Sequence, residues 1–171
     1  MTPLIYKDLF IHFIYQKLSS TEAKNIKQFW LQTGAISDLN IINNRLQQVV
    51  LVVKNKENQI IGISSVYINL LQDKPYFFYR MFIDPDYRNT RLMAVMTMQT
   101  WLDLSRRKDF SPIGMAIITE NPKLQRSGFR KYFKRVLGFQ YLGQNEIQQD
   151  IWLLNFNQTP LYFQAKKKGD N

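Results

Sequence analysis

The run Tyr79-Arg80-Met81-Phe82-Ile83-Asp84-Pro85-Asp86-Tyr87-Arg88-Asn89-Thr90-Arg91-Leu92-Met93 decides how this chain is read. Its first five residues are apolar or aromatic except for Arg80 and fit the end of a strand. Asp84-Pro85-Asp86 stops that strand, because proline has no N–H for the ladder and suits a loop that enters a helix. From about residue 89 to residue 106 the pattern turns helical, with Leu92, Val95, Met96, Leu102 and Leu104 apolar on several sides. A helix that begins directly after a strand exposes unpaired backbone N–H groups. They put partial positive charge where a phosphate fits. Arg88 and Arg91 add full charges at the same place.

Upstream, residues 11–15 read as a strand with a lead-in. Ser19 and Glu22 have the spacing of a capping box, and Ala23, Ile26, Phe29, Trp30 and Thr33 follow at helical intervals before Gly34, a helix stop. Residues 37–48 fit a short helix or an ordered loop. Residues 49–53, 59–70 and 76–83 form three strands joined by the polar turns 54–58 and 72–75, an antiparallel meander. Downstream, 112–119 is a short internal strand. Asn121-Pro122 opens one helix that runs to the break at Gly138-Phe139, and 139–142 and 150–156 are the last strands. The order strand, helix, meander, helix, strand, helix, two strands is an α/β plan with helices on a mixed, largely antiparallel sheet.

The chain has 171 residues, 23 Lys+Arg against 13 Asp+Glu, one His and no Cys, for a formal charge of +10. That length fits a single domain over 1–160, followed by a basic, flexible tail over 161–171. Without cysteine there is no thiolate nucleophile, disulfide framework or zinc ribbon, and one His removes multi-histidine metal sites and most hydrolase triads. Chemistry falls to carboxylates, Tyr, Lys, backbone amides or a cofactor. No apolar run reaches the roughly 18 residues that cross a bilayer. The N-terminal segment carries Lys7, Asp8 and His12 and lacks a small-residue cleavage site, so a cytoplasmic protein without membrane contact is expected. The positive charge fits a phosphate-bearing cofactor, nucleic acid, an acidic protein or an anionic membrane, or is a solvated surface.

At the quoted run the chain resembles the GNAT superfamily of acyl-CoA-dependent N-acyltransferases. In that family a strand is followed by x-Pro-x-Tyr-Arg-x-x-Gly-x-Gly or Ala and a helix. Ile83-Asp84-Pro85-Asp86-Tyr87-Arg88 matches the first half, while Arg91 and Met93 stand at the two glycine positions. The family's later Asn and its Gly-Phe helix end are matched by Asn121 and Gly138-Phe139, several residues further apart than usual. The resemblance covers roughly residues 48–156. It implies a GNAT-like mixed, largely antiparallel central sheet of six to seven strands flanked by about four helices.

The resemblance also implies acetyl-CoA or another acyl-CoA as co-substrate, an unidentified amine acceptor and no metal. Two neighbouring parallel strands would splay apart around the pantetheine arm, with Met81 and Ile83 offering backbone groups to it. A backbone N–H near Phe82 would polarise the thioester carbonyl. The pyrophosphate would rest on the amides of Asn89, Thr90, Arg91, Leu92 and Met93, aided by Arg88 and by the guanidinium of Arg91. Asn121 joins the cofactor-binding set by the same likeness. The family's thiolate-protonating Tyr maps to Lys134. Tyr132, two residues earlier, is the proposed acid, with a core tyrosine as the other reading of its apolar face. Glu120 is the first choice of base and Asp84 the second, unless Asp84 only shapes its turn. His12 reads as structural.

The acceptor pocket would be built from the first helix, residues 37–48 and the loop near 144–149, with Trp30, Tyr67, Tyr79 and Trp152 either lining it or packing in the core. The basic helix over 123–135 places Arg126, Arg130 and Lys134 on one face. That face could take the CoA 3′-phosphate, nucleic acid or an acidic protein, or be a solvated surface. The alternatives to a transferase acting on an unidentified amine are a catalytically inactive domain that binds nucleic acid or an acidic protein, and a transferase whose acceptor is itself a nucleic acid. A monomer or homodimer fits either.

Overall fold

The computed structural model describes residues 2–167, leaving aside the side chains of Thr90 and of 165–167. In chain order its elements are β1 (Leu4–Tyr6), β2 (Leu9–Phe13), α1 (Ser20–Gln32), α2 (Leu39–Leu46), β3 (Val49–Lys54), β4 (Ile60–Leu71), β5 (Lys74–Ile83), α3 (Thr90–Ser105), β6 (Gly114–Ile118), α4 (Ser127–Tyr132), β7 (Gln140–Gln144), β8 (Asp150–Asn155) and α5 (Leu161–Lys167). The eight strands make one mixed sheet in the order β1-β2-β3-β4-β5-β6-β8-β7. Strands β5 and β6 pair in parallel, Phe77 opposite Met115 and Tyr79 opposite Ile117, while β1–β2, β2–β3, β3–β4, β6–β8 and β7–β8 are antiparallel. The expected α/β sheet is present, with more elements than the sequence suggests. The lead-in to the first strand is itself a strand, folded onto β2 through Lys7 (φ 54°). Leu161–Lys167 is helical where a flexible tail was expected; residues 168–171 of that tail lie outside the described residues.

The chain divides into two compact units, Met1–Val66 with Arg80–Thr100 and Tyr67–Tyr79 with Trp101–Asn171. In the first, Ser19 Oγ accepts the Glu22 N–H at 3.2 Å and starts α1. Glu22 does not complete the capping box; its Oε2 pairs with Lys54 Nζ at 3.2 Å. Gly34 (φ +66°) follows the helix in the left-handed conformation that glycine adopts most readily. The ambiguous segment after it is a helix, α2, because Asp38 caps it through the amides of Asn40 and Ile41. Ile26, Phe29 and Trp30 of α1 and Ile42 and Leu46 of α2 pack with Val49, Val52 and Ile63 of the sheet.

In the second unit Tyr76, Phe78, Ala116 and Leu153 form one core cluster, and Phe133 stacks on Trp152 at 5.3 Å between ring centroids. The single helix expected over 122–137 is broken into three. Pro122–Gln125 is a 3-10 turn capped by Asn121, Arg126 is extended (φ −66°, ψ 151°), α4 follows, and Phe133–Leu137 is π-helical. Arg126 therefore stands before α4 and does not share a helical face with Arg130 and Lys134. Gly138 ends the π segment at φ +86°, and a Cβ there would lie 2.9 Å from the Leu161 amide nitrogen.

Two tight turns use the same residues for the same reason. Asn55 Oδ1 accepts the Gln59 N–H at 2.8 Å and its Nδ2 donates to Gln59 Oε1 at 2.9 Å. Asn145 and Gln149 repeat both bonds at 2.8 and 2.9 Å. Asn58 and Gln148, one residue before each glutamine, both sit at φ 60°. Each asparagine side chain satisfies backbone that the reversal leaves unpaired.

Candidate cofactor site

The site built in the first unit is the passage from β5 to α3. Asp84 donates its N–H to Ile61 O at 2.9 Å, which fixes the phase of β5 against β4. Alternation along a strand then aims the Phe82 amide and carbonyl at β4 and those of Met81 and Ile83 at the opposite edge. The backbone donors on that edge, near Phe82, are thus those of Met81 and Ile83.

Beyond Ile83 the chain makes a 3-10 turn over Pro85–Tyr87. Asp84 Oδ1 accepts the Asp86 N–H at 3.0 Å, and Tyr87 N–H closes on Asp84 O at 2.9 Å. Asp84 is thereby a turn-former. Tyr87 Oη accepts from Asn55 Nδ2 at 3.3 Å and ties the turn to the β3–β4 loop. Arg88 folds back on the strand: its Nε donates to Ile83 O at 2.8 Å and its guanidinium lies over the Phe82 ring at 5.3 Å. Phe82 in turn meets Phe29 of α1 edge-to-face at 5.8 Å. Arg88, expected as a phosphate ligand, uses its Nε on the β5 carbonyl and so also braces the turn.

Asn89 caps α3. Its Oδ1 takes the Leu92 N–H at 2.8 Å, its carbonyl takes the Met93 N–H at 3.1 Å, and its Nδ2 returns to Tyr87 O at 3.1 Å. Of the five amides expected to cradle a phosphate, those of Leu92 and Met93 are therefore already bonded. Helix geometry gives the amides of Thr90 and Arg91 no intrahelical acceptor. The Arg91 side chain is exposed and, among the described residues, meets no carboxylate; Met93 is buried. Donors for a diphosphate thus reduce to the first turn of α3 and the Arg91 guanidinium, a set that fits such an anion.

Glu120, Asn121, Tyr132 and Lys134 lie in the second unit. Glu120 is exposed just after β6, with its N–H on Ile118 O at 3.1 Å. Asn121 Oδ1 accepts the Lys123 N–H at 3.0 Å and so acts as a cap. Tyr132 is half-buried at the last position of α4, directly before the π segment. Lys134 is exposed. Trp30, Tyr79 and Trp152 are buried core residues, and Tyr67 is half-buried against Phe78 at 5.3 Å.

His12, on β2, is pushed toward neutrality by burial and then by the Lys54 charge. Sequence reasoning passed over Asn55, whose bond to Tyr87 depends on a loop 32 positions away. It also passed over the Asn89 cap, for which Asn three residues before an apolar Leu was the available signal. Among the described residues no group of three or more His, Asp or Glu could hold a metal ion, and no helix is long and apolar enough to cross a membrane.

This strand–turn–helix passage on a mixed sheet defines the class: the chain has the GNAT acetyltransferase fold. Solved structures with that fold superpose over nearly all of the chain. An acetyltransferase from Salmonella typhimurium that modifies the N-terminal serine of ribosomal protein L7/L12 is 11% identical, with 88% of this chain and 96% of that one covered and a TM-score of 0.57. The ribosomal-protein-S5-alanine acetyltransferase of Vibrio fischeri is 13% identical over 90% and 94%, with a TM-score of 0.54. A GNAT-family acetyltransferase from Streptococcus pneumoniae is 13% identical over 85% and 96%, with a TM-score of 0.52. No protein-family model and no curated protein sequence matches the chain.

Proposed function

We propose that the chain is a GNAT-type N-acyltransferase that moves an acetyl or other acyl group from acyl-CoA to an amine. The observation that carries the reading is the start of α3. There the amides of Thr90 and Arg91 lack helical acceptors and the Arg91 side chain, which meets no carboxylate among the described residues, stands beside them, directly after a strand whose Met81 and Ile83 backbone groups face away from β4. The GNAT fold supports the same reading.

Acyl-CoA supplies the activated thioester carbonyl. The chain's part is to hold the diphosphate at Thr90 and Arg91 and to pair Met81 and Ile83 with the amide-rich arm. One of those two N–H groups then donates to the carbonyl oxygen. The acceptor nitrogen bonds to the acyl carbon as the carbon–sulfur bond breaks. Glu120 is assigned to take the amine proton and Tyr132 to return one to the thiolate.

The acceptor of the Salmonella protein, an N-terminal serine, makes the α-amino group of a protein N-terminus the first class to try. Calorimetry with CoA and acetyl-CoA tests the reading: saturable binding that weakens in Arg91→Ala supports it. Absence of heat at millimolar ligand removes it.

A further inference from the structure

The second unit holds a cleft of about 340 Å3 lined by Arg130, Lys131, Lys134, Arg135, Tyr141 and Trp152. Its cations are not equivalent. Arg130 is held by Asp150 at 2.7 Å and lies over the Tyr141 ring at 5.6 Å. Lys131, Lys134 and Arg135 are exposed and, among the described residues, meet no carboxylate. Three unpaired positive charges around one concavity favour a ligand with more than one negative charge.

The walls are aromatic. Tyr141 is 39% exposed, which leaves part of its ring open to a planar partner. Trp152 is 2% exposed, and its buried indole N–H has no hydrogen-bond acceptor among the described residues. A buried donor without a partner is uncommon. The volume is that of a small-molecule site, enough for one nucleotide and not for a duplex.

We infer that this cleft binds a nucleotide unit of single-stranded nucleic acid, its phosphates on Lys131, Lys134 and Arg135 and its base against Tyr141. Lysines and arginines that track a backbone beside an aromatic side chain that stacks a base form the usual combination for single strands. Lys123 and Arg126, both exposed on the turn that leads into α4, extend the basic track beyond the cleft. An acidic peptide would use the charges but not the ring, so the ring separates the two. The second unit carries this inference alone, and it holds whether or not the chain transfers acyl groups.

Fluorescence anisotropy with a short labelled oligouridylate tests it on the full chain. The triple variant Lys131→Ser, Lys134→Ser, Arg135→Ser changes only exposed side chains and is expected to bind at least tenfold more weakly. The slope of log affinity on log salt should become shallower by about 2. Tyr141→Leu is expected to weaken binding about fivefold or more. Tyr141→Phe, which keeps the ring, should stay within twofold. The affinity for CoA should be unchanged in Tyr141→Leu. The inference is overturned by any of the following: no oligouridylate binding by the wild type at low salt, equal binding by the triple variant, equal affinity for polyglutamate, or displacement of the oligonucleotide by CoA with a parallel loss of CoA affinity.

Discussion

Arg130 grips the fully buried Asp150 with two nitrogens, Nε on Oδ2 and Nη2 on Oδ1, both at 2.7 Å. The carboxylate also accepts from Gln144 Nε2 at 3.1 Å and Tyr141 Oη at 3.3 Å. The pair clamps α4 to β8. Burial alone would raise the Asp150 pKa. The bonds from Arg130, Gln144 and Tyr141 outweigh it and hold the group below its usual value. A depressed folded-state pKa contributes stability that is present above the unfolded value and lost as pH falls through the folded one. Asp150→Ala should cost about 2 kcal/mol at neutral pH, the scale of lost charge-assisted hydrogen bonds. The gap between variant and wild type, read from urea midpoints, should narrow as pH falls below about 4. A gap that widens with acid contradicts the assignment.

Arg88 and Arg91 stand three positions apart and do different work. Arg88 is tied to Ile83 O and Phe82, so Arg88→Ala should lower the melting temperature as well as weaken CoA binding. Arg91 touches no carboxylate among the described residues, so Arg91→Ala should leave the melting temperature within about a degree and raise the CoA dissociation constant about tenfold, as loss of one charge-assisted bond implies. Arg126→Ala should do neither. Titration calorimetry beside thermal melts separates the three, and an Arg91 variant that melts early but binds normally refutes the division.

Much of this was legible in the residues. Ser19 and Glu22 announced α1, Gly34 its end, and Ile83-Asp84-Pro85 the passage into α3, because caps, prolines and glycines act within a few residues of themselves. The break at Arg126 was not legible. Asn121-Pro122 and the apolar residues from Leu124 to Leu137 fit one helix, and only Gly128, a poor helix former, hinted at a restart. The direction of Arg88 was hidden as well, because a local pattern gives a side chain's charge but not which of two anionic or carbonyl partners wins it. The tie from Tyr87 to Asn55 and the buried Trp152 N–H depend on neighbours remote in sequence.

The Asn89 cap offers a test that divides helix stability from anion binding. Asn89→Ala removes the acceptor for the Leu92 N–H and should destabilise the protein by about 1 kcal/mol. Asn89→Asp keeps an acceptor in the same place and should melt at or above the wild type, since a carboxylate suits a helix start. The same carboxylate sits beside the amides of Thr90 and Arg91 and should repel a diphosphate. CoA affinity should fall in Asn89→Asp despite the intact fold, measured by calorimetry at low salt. Equal affinity in Asn89→Asp and wild type would place the diphosphate elsewhere.

His12 reports on the buried ion pair of Lys54 and Glu22. Lys54 Nζ and Glu22 Oε2 are 3.2 Å apart with little exposure, and Glu22 Oε1 is buried without a hydrogen-bond partner among the described residues. Burial first, and the Lys54 charge second, lower the His12 pKa, partly countered by Glu22. The unfolded chain therefore binds a proton more readily than the folded one. Stability is full above the ordinary imidazole value of about 6.5 and declines as pH falls from there through the folded-state value. His12→Phe removes that titration, so its melting temperature should vary less than the wild type's between neutral pH and about 5. Lys54→Met leaves Glu22 without its cation and relieves His12 of its repulsion. That variant should melt well below the wild type at neutral pH, while its His12 titrates higher in a proton NMR series. A His12 resonance that does not move between Lys54→Met and wild type removes the electrostatic link.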